Sequence, residues 1–245
     1  MVLLPLATAC GSHRAPHAIA DETAVCVPPD TVVLAGLRLE KIRNTPLYPA
    51  LPATWRALLE PLRDATDLLA AYNGRDLLVI ARGRFASAPP GAVLLGPTLA
   101  LAGSPAAIQA ATAQRATGRT GAPALVAQAE SAAGKPIWLV VQGRTSLPLT
   151  GNLANLNRLL RLVDYATLTA DFNSRVDIRV KASCPTPEDG RQLEEALRAL
   201  ITLAAVGTRD PDLVAAFQSA QVTREGSTVQ LAISASLPAL EKFLR

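Results

Sequence analysis

The chain has 245 residues, enough for one large domain or two modest ones. Hydrophobic residues make up 49% of it and charged residues 18%, which excludes a disordered chain and allows a sizeable core built from Ala, Leu and Val. The net charge is +4, yet lysine stands only at Lys41, Lys135, Lys181 and Lys242 and the arginines are dispersed singly, so no nucleic-acid footprint can be read.

The chain opens Met1-Val2-Leu3-Leu4-Pro5-Leu6-Ala7-Thr8-Ala9-Cys10-Gly11-Ser12. An apolar run, small residues and then a cysteine resemble the end of a bacterial lipoprotein signal peptide. In that pattern an aliphatic residue stands three places before the cysteine. Here Ala7 holds that place and Leu6 lies one step earlier. The basic segment that precedes such an apolar run is absent, which suggests a start codon upstream of Met1. The resemblance implies that residues 1–9 are a signal-peptide remnant and that Cys10 carries the lipid. It also implies a body held in the periplasm, with Gly11 favouring the outer membrane. Residues 10–29 are rich in Ser, His, Pro, Asp and Glu with no sustained period, the composition of a flexible tether. No later segment approaches the roughly 20 apolar residues that a spanning helix needs. With Cys10 lipidated, Cys26 and Cys184 remain as a candidate disulfide that would staple the tether to the body.

The body reads as two similar halves, 30–134 and 135–245. Residues 64–75 (Asp-Ala-Thr-Asp-Leu-Leu-Ala-Ala-Tyr-Asn-Gly-Arg) reappear one hundred residues later as Asp-Tyr-Ala-Thr-Leu-Thr-Ala-Asp-Phe-Asn-Ser-Arg. Asn73-Gly74 and Asn173-Ser174, set between apolar runs, predict two-residue hairpin turns, with second strands at 76–83 and 176–183. Leu68 and Leu168 should then face core. Before each hairpin comes an extended run, 31–39 or 136–142, and a helix. The first helix is centred on 54–62; the second carries Leu153, Leu156, Leu160 and Val163 at helical spacing. A strand at 92–102 and a helix at 105–117 follow the first hairpin, and the Ala/Gly-rich stretch 115–135 reads as the junction. After the second hairpin, Thr186 and Pro187 start a long helix with the stripe Leu193, Leu197, Leu200, Ile201 and Ala204, which Gly207 can end. A short helix from Asp210-Pro211, a hairpin turning at Glu225-Gly226 and a helix after Ser236 complete the chain. The predicted class is α+β, duplicated around antiparallel sheet.

Catalytic and metal signals are sparse. His13 and His17 both lie in the tether and Pro16 separates them, so neither a triad base nor a helical metal pair is formed. Asp171, Asn173 and Asp177 lack the third acid and closing Glu of a calcium loop. Glu194 and Glu195 fall on the polar face of the long helix. The matched Asn73/Asn173 and Arg75/Arg175 pairs could form a symmetric site, although turn chemistry accounts for the asparagines. No cofactor or metal is expected.

The sequence therefore points to a non-enzymatic, lipid-anchored envelope protein, a binding module for another protein or a small apolar ligand. A carboxylate-dependent envelope hydrolase is the alternative. Each buried methylene adds about 0.8 kcal/mol of membrane affinity, so two or three chains on Cys10 hold a protein stably. Mass spectrometry of the membrane fraction from a full-length gene should find Cys10 diacylated or triacylated, and Cys10→Ala should release the protein from that fraction.

Overall fold

The computed structural model describes residues 19–45, 47–50, 56–57, 59–148, 156–172 and 175–243. Among the described residues, ten strands form one antiparallel sheet. In chain order they are β1 (Val33–Arg38), β2 (Ala65–Tyr72), β3 (Leu77–Gly83), β4 (Ala92–Gly96), β5 (Leu99–Gly103), β6 (Ile137–Gln142), β7 (Tyr165–Phe172), β8 (Val176–Ser183), β9 (Gln221–Glu225) and β10 (Thr228–Ala235). Across the sheet they run β4-β5-β3-β2-β1-β6-β7-β8-β10-β9. Outward from the centre, each half repeats the same order: a strand, a hairpin, then a second hairpin whose later strand lies inward. The class is α+β with two similar halves, as the repeat predicts.

The helices are α1 (Asp21–Ala24), α2 (Leu39–Arg43), α3 (Leu47–Ala50), α4 (Pro105–Ala116), α5 (Pro123–Glu130), α6 (Leu156–Leu160), α7 (Pro187–Gly207), α8 (Pro211–Gln218) and α9 (Leu237–Phe243). Three start on a proline preceded by a side-chain cap. Ser104 Oγ accepts from the Ala107 amide at 3.2 Å, Thr186 Oγ1 from Asp189 at 3.1 Å and Asp210 Oδ1 from Asp212 at 3.0 Å.

The halves meet where β1 pairs antiparallel with β6, Leu34 opposite Val140 and Gly36 opposite Trp138. Side chains alternate between the two sheet faces. On the first face, Leu34, Leu69, Ile80, Leu101, Trp138 and Val140 form the largest core cluster with α4, α5 and the segment around α1. On the second face, Leu39, Ala65, Leu68 and Phe85 pack together in the first half, while Val163, Ala182, Leu193 and Val229 do so in the second. Beyond β7, which α5 still touches, the first face turns polar among the described residues. Arg179, Lys181 and Gln230 lie exposed there, giving the apolar-in, polar-out alternation of a one-sided sheet.

Several expectations change. The flexible tether expected over 10–29 gives way from Ile19 onward to packed chain, because Ile19, Cys26 and Val27 are buried in the first-face cluster. Its earlier part, 10–18, lies outside the described residues. The stretch read as a junction, 115–135, contains α5, whose Leu125 and Ala129 are buried against the seam. Ala122, Ala129, Ala132 and Ala133 are core residues on its inward side, while Ala116, Ala124 and Ala127 are exposed. The single strand expected at 92–102 is the hairpin β4–β5, turned at Pro97-Thr98. The helix expected over 54–62 ends in a 3-10 turn, Glu60–Leu62.

The first hairpin does not use a two-residue turn. Tyr72 pairs with Leu77, which leaves residues 73–76 as the loop. Asn73 Oδ1 accepts from the amides of Arg75 (2.9 Å) and Asp76 (2.7 Å), and Gly74 takes the positive φ of 95°. In the second hairpin Phe172 pairs with Val176, leaving only 173–175, one residue fewer; Asn173 and Ser174 lie outside the described residues. The strand equivalence therefore slips from one hundred residues before the turn to ninety-nine after it. Leu68 is buried and Leu168 half-buried, and their pairing places both on the second face.

A Cβ on Gly36 would lie 2.2 Å from Trp138 Cε2, inside the indole that closes the seam. Gly36→Ala should destabilise the fold by about 1–3 kcal/mol, the usual cost of overpacking a close-packed core. Urea unfolding followed by Trp fluorescence measures it.

Candidate functional site

Cys10 and the two histidines lie outside the described residues. The Cys26–Cys184 bridge is not formed in this structure: both are free, buried thiols. Cys26 belongs to the first-face cluster and Cys184 to the second-face cluster of the other half, so the sheet separates them. Burial pushes both thiols up from their ordinary pKa, which keeps them protonated.

The symmetric site suggested by the two turns is not assembled. Because β1 and β6 run antiparallel, Tyr72 at the first turn is level with Val33, Val141 and Ala166, at the start of β7. The second turn follows Phe172, at the other end of β7. Arg75 and Arg175 are thus exposed at opposite ends of the sheet. Asn73 instead donates through Nδ2 to Asp30 at 2.7 Å, and Arg175 donates to the Ser234 carbonyl at 3.3 Å.

Of the acids singled out in the sequence, Asp171, Glu194 and Glu195 serve ion pairs. Asp171, opposite Asp177 across β7–β8, accepts from Lys135 Nζ at 2.6 Å. Glu194 is not simply solvent-facing. Its side chain, 20% exposed, takes Arg198 at 2.9 Å and Arg224 at 3.0 Å. These hydrogen bonds, Arg198's foremost, hold the Glu194 carboxyl below the ordinary range. Glu188, bonded to Arg191 and Gln192, is held at about 2. Asp210 is lowered by Lys242, which joins α9 to the start of α8 at 2.6 Å. Proton donation to a leaving group needs the opposite environment, one that raises the carboxyl pKa. No carboxylate is buried among the described residues, nor do three His, Cys, Asp or Glu side chains gather as a metal would require.

The surface departs from ordinary solvated character on α7. Its inward row, Leu193, Leu197 and Ile201, packs on β9 and β10 with Val222 and Leu231. Four-residue spacing puts these on one helix face. Leu200, expected in the buried stripe, is 41% exposed, and Leu203 and Val206 are 68% and 81% exposed. The physical reason is length. A 21-residue helix runs about 31 Å, whereas the five-residue β9 beneath it spans about 17 Å. The last two turns of α7 present Leu200, Leu203 and Val206 to solvent at three-residue spacing, free of charged side chains between Arg198 and Arg209. The preceding turns carry Glu188, Arg191, Glu194, Glu195 and Arg198, tied to one another and to Arg224. The sequence stripe identified the helix; the exposure of its end follows from the short strand below, which periodicity does not report.

The concave features among the described residues range from about 40 to about 1070 Å³. A cavity of about 40 Å³ lies under Trp138 beside Gly36, too small for a ligand. A trough of about 1070 Å³ runs between α1, the end of α4 and α5, with Val25, Pro123, Val126 and Ala127 among its lining and Asp21, Arg119 and Glu130 along it.

No family model matches the chain, and no curated protein does. Solved structures of a protein designated TP0453 share its fold. Crystal form III superposes with a TM-score of 0.57 at 10% identity, over 90% of this chain and 96% of that one. Form I gives 0.54 at 9% identity, over 90% and 95%, and form IV gives 0.52 at 8%, over 91% and 96%.

Non-reduced protein should show Cys26 and Cys184 unreactive to a thiol reagent while native and both titratable once unfolded. One or no titratable thiol at those positions would mean that they are oxidised.

Proposed function

We propose that the chain is a lipid-anchored, non-enzymatic protein of the bacterial envelope that binds another protein through the exposed apolar end of α7. The observation that carries this reading is the row Leu200, Leu203 and Val206, apolar side chains left in water on a helix whose earlier apolar residues Leu193 and Leu197 pack against the sheet. Apolar side chains three residues apart on one helix are the anchors of helix-in-groove recognition. Burying one such side chain contributes roughly 1.5–3 kcal/mol, so three suffice for a specific contact.

The charge of α7 favours a protein over an anionic lipid surface. Its four acids, Glu188, Asp189, Glu194 and Glu195, outnumber Arg191 and Arg198, and both arginines are engaged in ion pairs. A helix that lies on anionic lipid carries free Lys and Arg along its polar face. The trough beside α5 supports the small-ligand form of the same reading less well, because it is open along its length and carries charged side chains.

Photo-crosslinking in the native host separates these readings. A crosslinker at position 203 should yield an adduct of one defined mass, while one at position 223, on the polar sheet face, should not. Leu200→Glu should abolish the adduct and leave the melting temperature unchanged, because that side chain is already exposed. Equal adducts at both positions, or none from cells in which Cys10 is processed, would overturn the proposal.

A further inference from the structure

The two outer strands of the sheet are finished differently. On β9, Gln221, Thr223, Arg224 and Glu225 bring polar and charged side chains to the rim, α7 packs beside it, and Arg198 Nη2 donates to the Val222 carbonyl at 2.7 Å. Charge and side-chain cover are the usual means of closing a sheet edge. Strand β4, Ala-Val-Leu-Leu-Gly, carries no charged side chain over its five residues. One side of it pairs with β5, and the other pairs with no strand among the described residues. Val93 is 47% exposed, and the strand is bounded by Pro89-Pro90-Gly91 before and Pro97 after. Partial cover comes at its two ends, where the Ala92 amide donates to the Pro89 carbonyl at 3.0 Å and Arg115 Nη1 donates to the Leu95 carbonyl at 3.1 Å, so the groups left for a partner are those between them.

We infer that β4 is a docking edge that accepts an extended, uncharged apolar segment of a partner protein as an eleventh strand. A row of main-chain donors and acceptors is satisfied by another extended backbone, which fixes the conformation of the occupant. The register fixes its chemistry. Val93 and Leu95 lie on the first face with Leu101, and Ala92 and Leu94 on the second with Ala100. An added strand would therefore meet apolar neighbours on both faces, and a charged one would lose hydration without an opposing charge. Length argues against a second copy of this chain as the occupant. Five residues span about 17 Å, too short for two rigid bodies meeting only there to bury the roughly 1,200 Å² of a stable dimer. A flexible segment does not have to meet that requirement with a whole second body. The edge lies at the far side of the sheet from α7, so this inference does not rest on the docking role proposed for that helix.

The probe is a capped, fluorescently labelled peptide, Thr-Val-Leu-Val-Thr-Val, compared with the same peptide N-methylated at alternate residues so that one of its edges cannot donate. The expected result is saturable binding of the unmodified peptide by anisotropy, with slowed amide exchange confined to residues 92–96. Binding should weaken by about tenfold or more for the N-methylated peptide, and likewise for Val93→Lys, whose melting temperature should match the wild type. Leu203→Glu should bind the peptide as the wild type does, which separates failure here from failure of the α7 reading. Absence of protection at 92–96 would overturn the inference. So would protection that appears without peptide and grows with protein concentration as the mass doubles, the signature of a second copy.

Discussion

The antiparallel pairing of β1 with β6 is the contact on which the rest of the architecture depends. It turns two five-stranded halves into one ten-stranded sheet and removes two edges that would otherwise be open. The pairing is tight because Gly36 has no side chain where the Trp138 indole lies, and Leu34 and Val140 are fully buried beside it. The chain thus spends one of its two tryptophans at the join, in a core otherwise made of small aliphatics. The helix α5 and the segment around Ile19 then cover the seam from one side, which is why the first-face cluster draws residues from both halves.

That pairing also decides what the duplication can do. An antiparallel join relates the halves by an approximate two-fold axis through the sheet, so equivalent residues are carried to opposite ends. The like-for-like turns at Asn73 and near Arg175 are separated by this geometry, however alike their sequences. What differs between the halves is then where specific features arise: helices over the first face in one half, the long α7 over the second face in the other, an apolar rim at β4 and a polar one at β9.

Much of this order was legible in the residues. The repeat at 64–75 and 164–175 placed both hairpins, Val176–Ser183 matched to the residue, and Thr186-Pro187 marked the start of α7, because capping and alternation are local physics. The failures were non-local. Polar composition before Asp30 suggested a tether, yet Cys26 and Val27 are buried by helices that arrive a hundred residues later. The Ala-rich stretch after Arg115 looked like a linker because small residues serve both flexible and close-packed chain. The Asn-Gly pair announced a turn but not its length, which is set by Asn73 Oδ1 accepting two amides. The exposed row on α7 could not be read from its stripe, since whether an apolar side chain is covered depends on how far the strand beneath extends. Cys10 and the turn at Asn173 fall outside the described residues.

The one-residue difference between the two hairpin loops has a consequence for the history the fold can tolerate. A deletion within a strand would reverse every side chain beyond it, exchanging core for solvent. A deletion inside the turn leaves both strands in phase, and here it lets β3 and β8 keep their inward faces although their numbering has drifted. The difference in length between the two central hairpins is thereby taken up in the loop. A half-chain on its own would also bare the rim at β1 or β6. The molecule therefore has the form of a two-fold dimer carried in one polypeptide, with a seam whose two sides, Gly36 and Trp138, are no longer alike.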